Sequence, residues 1–130
     1  MNKKKLYIIT GTTNGLGYNL ACRLVKSYKV IGISKTKSII HDKNYFHIFH
    51  DFSEQINDNK LDILKKFPDY KIYIILNAAK RFDKYYKENY YKYFKLSLNI
   101  NLFNQINLLD KLENLFYIEK IITISTYNIF

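Results

Sequence analysis

The chain has 130 residues, a formal charge of +10 and 48% hydrophobic residues, among them 13 Tyr and 9 Phe. That length makes one domain, 1–130, able to bury roughly two-thirds of its unfolded surface, and the aromatic content excludes a disordered chain. No apolar run approaches the roughly 20 residues of a membrane span, and the lysines are scattered rather than gathered on one element, so neither a membrane nor a nucleic acid is the expected partner. The basic start Met1-Asn2-Lys3-Lys4-Lys5 runs straight into a strand with no small-residue cleavage pattern, and the expected compartment is the cytoplasm.

Lys5-Leu6-Tyr7-Ile8-Ile9-Thr10 has the near-continuous apolar character of a strand buried on both faces. Leu16, Leu20, Ala21, Leu24 and Val25 then recur at helical spacing, predicting a helix that ends near Ser27-Tyr28. Cys22, the single cysteine, falls inside it and is expected as a buried small hydrophobe. Between strand and helix lies Thr10-Gly11-Thr12-Thr13-Asn14-Gly15-Leu16-Gly17. A strand that turns through glycines into a helix aims unpaired N–H groups and the positive end of the helix dipole at one spot, which suits a phosphate. Gly11 permits the tight turn, Gly15 lets the backbone approach a pyrophosphate, and Gly17 lets helix and strand pack closely. A plain turn and helix start is the alternative for such a triad. The spacing TGxxxGxG, at this distance from the start, resembles the first cofactor motif of the short-chain dehydrogenase/reductase family. The resemblance implies cofactor contacts from Gly11, Thr13, Asn14, Gly15, Leu16 and Gly17.

Lys29–Ser34 reads as a second strand, parallel to the first through a right-handed crossover. In a dinucleotide fold an acidic residue at its end bonds the ribose hydroxyls, whereas a basic or small polar one accommodates a 2′-phosphate. Ser34-Lys35-Thr36-Lys37 has no carboxylate, so Ser34 and Lys35 favour NADP(H) over NAD(H); Lys37 reads equally as a solvated loop residue. Tyr45–His50 forms a third strand, in which His47 and His50 fall on opposite faces and do not make a metal pair. Asp51-Phe52-Ser53 resembles the family's acidic motif, with Asp51 accepting from the adenine amino group and Phe52 beside the ring; capping of the next helix by Asp51 or Ser53 is the alternative. That helix is expected over Ser53–Lys66. Lys71–Leu76 is the strongest buried strand, and the Asn77-Ala78-Ala79 that follows resembles the family's fourth-strand motif. Asn77 would bridge strands through its amide while Ala78 and Ala79 let the cofactor ribose pass.

Phe94, Leu98, Leu102, Ile106, Leu109 and Leu112 predict a long amphipathic helix with this stripe on the sheet. By resemblance Asn101 bends that helix and serves a catalytic proton relay. Lys120–Thr126 is the fifth strand, and the resemblance gives Thr126, or Ser125 before it, the hydroxyl that holds a substrate carbonyl. The family's Tyr-x-x-x-Lys pair belongs roughly a dozen residues beyond that hydroxyl, so the expectation is a chain truncated or split before strands six and seven. Tyr91 and Lys95 have the pair's spacing but precede the fifth strand. The whole predicts a Rossmann-like three-layer α/β fold with a parallel sheet of order 3-2-1-4-5. Function is then an NAD(P)(H)-binding oxidoreductase of the short-chain type acting on a small carbonyl or alcohol, completed by self-association or a complementing C-terminal chain. The alternative is a non-catalytic nucleotide-binding module or an inactive remnant.

Overall fold

Five strands, β1 (Lys5–Thr10), β2 (Lys29–Ser34), β3 (Tyr45–Phe49), β4 (Lys71–Leu76) and β5 (Ile118–Thr123), form one sheet in the order β3-β2-β1-β4-β5 in this computed structural model. It describes residues 4–79 and 89–124. Every neighbouring pair is parallel, so all five carboxyl ends lie along one rim. This is the Rossmann-like architecture that the alternation of apolar runs predicts.

The period-two geometry of a strand sorts each run into two cores. Leu6 and Ile8, with Ile31, Ile33, Ile72 and Ile74, face one side, where they meet Leu61, Leu64, Leu108 and Leu112. Ile9, Val30 and Ile75 face the other, against Ala21 and Val25. Helix α1 (Gly15–Leu24) covers that second side. The first side is covered by a 3₁₀ helix, Asp58–Lys66, and by a segment in three parts: α2 (Tyr90–Leu98), a π turn (Asn99–Phe103) and α3 (Asn104–Leu115). Lys111 on α3 bridges to Asp58 at 2.8 Å and ties the two covers together.

Several element bounds and faces differ from expectation. α1 stops at Leu24, short of Ser27-Tyr28, and Cys22 is half-buried rather than buried. The helix expected from Ser53 begins only at Asp58 and is 3₁₀, and β5 starts two residues earlier, at Ile118. The larger correction concerns the stripe. Phe94, Leu102 and Ile106 are exposed, while Ser97, Asn104, Gln105, Leu108 and Leu112 are buried. Within α3, Ile106 stands about 120° round the helix from buried Leu112, and the wider winding of the π turn shifts the phase of the residues before it, so Phe94 and Leu112 cannot share one 3.6-residue stripe. Among the described residues no helix is long and apolar enough to cross a membrane.

Candidate functional site

Chain order runs outward from β1 to β3 on one side and then returns to β4 on the other, so the carboxyl ends of β1 and β4 flank a topological switch point. A cleft of about 820 Å³ opens there. Its floor is the glycine turn. Gly11 sits at φ 75°, and a Cβ on it would lie 2.8 Å from the Ala78 Cα. Gly15 sits at φ 59°, with nothing within 4 Å of where its Cβ would stand. Gly17 does not line the cleft: a Cβ there would meet the Gly11 carbonyl oxygen at 2.0 Å, so this glycine is what lets α1 close on the turn. Asn14, the N-cap of α1, makes no capping bond through its side chain, and the first turn holds no carboxylate. The leading N–H groups of α1 therefore keep their capacity for an anion.

Asn77 fastens the end of β4 to this turn. Its Nδ2 donates to the Gly11 carbonyl at 2.9 Å, as expected of a bridging amide, and its backbone N–H donates to Thr10 Oγ1 at 2.9 Å. The same Thr10 oxygen accepts from the Ala78 N–H at 2.9 Å and donates to Gln105 Oε1 at 2.8 Å. Thr10 and Gln105 are buried, and the sequence alone assigns neither to the site. Gln105 belongs to no motif, and the sequence marks Thr10 only as the end of the first strand and the start of the glycine stretch.

The β2 side of the cleft carries Ser34, Lys35 and Thr36. A hydrogen-bonded chain runs beneath it. His47 Nε2 lies 2.9 Å from the Thr36 carbonyl, which can only accept, so that nitrogen carries the proton. Nδ1 then accepts from the Tyr45 hydroxyl at 2.8 Å, and that hydroxyl accepts from Thr12 Oγ1 at 2.8 Å. Burial pushes the His47 pKa down and the Tyr45 pKa up, which keeps both neutral. Gly32 makes room, since a Cβ there would meet the Tyr45 hydroxyl at 2.1 Å and Thr12 Oγ1 at 2.3 Å.

Beyond β3, Asp51 and Phe52 reach the cleft. Asp51 Oδ1 accepts the Ser53 N–H at 2.9 Å, a bond that holds the carboxyl pKa below its usual value, with nearby Lys35 adding to the shift. The Asp51 side chain thus makes a local turn rather than capping a helix. Phe52 is 4% exposed and its ring belongs to the core, edge-to-face with His50 at 4.9 Å. His50 itself, buried and bonded through Nε2 to the Glu54 carbonyl at 2.9 Å, also lines the cleft.

The structure gathers every residue that the sequence assigns to a cofactor, Gly17 apart, around this one cleft. It does not bring Asn101 there. Asn101 is exposed on the π turn, and its neighbour Ile100 lines the cleft instead. Ser125 and Thr126 lie outside the described residues. Among the described residues no group of three His, Cys, Asp or Glu is placed to hold a metal ion.

The fold and cleft define an α/β architecture of the Rossmann kind. Among solved structures, the same fold occurs in a short chain dehydrogenase family protein from Francisella tularensis. It is 24% identical with a TM-score of 0.73, and the match covers 96% of this chain and 55% of that one. ElxO with NADP bound is 22% identical at a TM-score of 0.71, over 95% of this chain and 56% of that one. A short chain dehydrogenase from Leptospira borgpetersenii with bound NAD+ is 17% identical at 0.61, over 84% and 44%. The chain spans about half the length of these structures. No family model and no curated protein matches the chain.

Proposed function

We propose that the cleft binds a nicotinamide dinucleotide and that the chain is an oxidoreductase of the short-chain dehydrogenase/reductase type, or the cofactor-binding part of one. One observation carries this reading: the uncapped start of α1 opens on the cleft through Gly15, whose missing side chain leaves the backbone bare. A pyrophosphate held there by main-chain N–H groups needs both features. Gly11, Thr13, Asn14, Gly15 and Leu16 would hold the diphosphate, with Gly17 keeping α1 close. Asp51 would lie at the adenine, the small Ala78 and Ala79 would let the second ribose pass, and Asn77 would hold the end of β4 to the glycine turn; the Phe52 ring, packed in the core, does not lie against the adenine as expected. When bound, the dinucleotide supplies hydride chemistry; a carbonyl or alcohol is the substrate class, with Ser125 or Thr126 as the hydroxyl that orients it and Asn101 as a relay position.

NADP(H) is the preferred form in this reading. Lys35 is exposed at the cleft and the β2 end carries no carboxylate to repel a 2′-phosphate. Titration of the purified chain with NADPH and NADH tests both levels. NADPH is expected to bind more tightly, and Lys35→Glu is expected to weaken NADPH by about tenfold or more while leaving NADH within about twofold. An unchanged ratio removes Lys35 from the preference, and no uptake of either dinucleotide by folded protein ends the nucleotide reading. A second reading, a nucleotide-binding module without catalysis, is supported by the position of Asn101 outside the cleft lining. Carbonyl-dependent oxidation of NADPH decides against it. The outer margin at β5, with Ile121 and Ile122 exposed, supports completion of the site by a second copy or a complementing chain.

A further inference from the structure

Gln105 is 3% exposed, and its side chain bonds four partners. Oε1 accepts from Thr10 Oγ1 at 2.8 Å; Nε2 donates to the Ala78 carbonyl at 2.6 Å and to the Ile100 carbonyl at 3.0 Å, with the Asn101 carbonyl at 3.4 Å. The partners come from three places: the end of β1, the end of β4, and the π turn. A leucine or methionine would fill a comparable space without demanding partners, and a buried amide is costly unless satisfied at both ends. The π turn explains the local demand. There the Asn104 N–H bonds the Asn99 carbonyl five residues back, so the usual four-residue ladder is broken where Ile100 and Asn101 stand. The Gln105 amide reaches back into that break. Its other end is fixed by Thr10, whose oxygen also anchors the Asn77 and Ala78 N–H groups beside the cleft.

We propose that Gln105 is a positioning residue that couples the dinucleotide cradle to the π turn carrying Asn101; the proposal rests on the nucleotide reading above. A ligand seated in the cleft that Gly11 and Ala78 both line steadies the two strand ends that Thr10 holds, and Gln105 passes that order to residues 99–105. Gln105 does not line the cleft, so it acts through its partners.

Amide hydrogen exchange with and without saturating NADPH tests this on the full chain. In the parent, NADPH is expected to slow exchange about fivefold or more both in the glycine turn and in residues 99–105. In Gln105→Leu the glycine turn keeps its response and residues 99–105 lose theirs. Gln105→Glu retains size and the acceptor for Thr10 but not the donors to Ala78 and Ile100. It is expected to lose the distant response as well, and it serves as the test if the leucine variant does not fold. Retention of the distant response in a folded variant overturns the proposal alone. Absence of any NADPH response at the glycine turn of the parent overturns the nucleotide reading, and the coupling falls with it.

Discussion

Gly15 and Gly32 are glycines for opposite reasons. Gly32 is needed because its surroundings are full: Tyr45 and Thr12 meet where its side chain would be. Gly15 is needed although its surroundings are empty, because φ is 59° and because the space beside it is the floor of the cleft. Substitution by alanine separates the two demands at Gly15. The left-handed backbone costs an L-residue about 1–2 kcal/mol, which a domain of this size tolerates. The new methyl group stands where a diphosphate would approach the main chain. Gly15→Ala is therefore expected to fold with a thermal midpoint lowered by several degrees, at about 4 °C per kcal/mol for a chain of this length, and to bind NADPH at least about tenfold more weakly. Melting followed by circular dichroism and calorimetric titration of the same sample check the two halves. Parental affinity in the folded variant would place the diphosphate elsewhere.

At the scale of elements, β1, β2 and β4 were legible in the sequence because a strand covered on both faces is a continuous apolar run, and Lys5–Thr10, Lys29–Ser34 and Lys71–Leu76 are such runs. The glycine turn was legible because its backbone demands are specific to glycine. The segment over Tyr90–Leu115 was not, because a periodic reading assumes one winding throughout and Asn99–Phe103 departs from it. Buried Asn104 and Gln105 were equally invisible: their partners, the carbonyls of Phe52 and Ala78, are distant in sequence and only the fold supplies them. The histidines at the end of β3 belong to the same class. His47 and His50 each donate from Nε2 to a backbone carbonyl, and Nδ1 accepts from Tyr45 in one and from Lys60 in the other. Burial is the first cause that lowers both pKa values. The unfolded chain, titrating near about 6.5, therefore takes up protons more readily than the folded one. Their stabilisation is complete above that pH and is lost as pH falls through the lower folded values. The thermal midpoint is expected to drop between pH 7.5 and 5, and NMR titration should place both imidazoles below about 6.5. A midpoint above that value for either ring would reverse its sign. Asp51, held low by the Ser53 N–H, acts in the same direction in the more acidic range.

Among the described residues the two margins of the sheet are unevenly covered. β3 and β5 are the margins of the sheet, but β3 buries Tyr45 and Ile48, whereas β5 is mostly exposed along its length. Ile121 and Ile122 point to opposite faces of β5, and at 41% and 38% exposure both meet solvent. Phe94, Leu102, Phe103 and Ile106 add apolar surface on the helical segment. An outer strand that presents apolar side chains is a template for pairing with another chain. The formal charge of +10 opposes that pairing by self-repulsion, and added salt screens the repulsion within about 10 Å at 0.1 M. Two forces of opposite salt dependence give a directional test. In sedimentation the 15.6 kDa chain is expected to show a mass that rises with protein concentration and rises further with salt. Ile121→Lys combined with Ile122→Lys places charge on both faces of the margin, and should return the monomer mass under the same conditions. A parent chain that stays monomeric at all concentrations, in high salt as in low, would show that β5 is protected as it stands. The apolar exposure would then be ordinary surface rather than an interface.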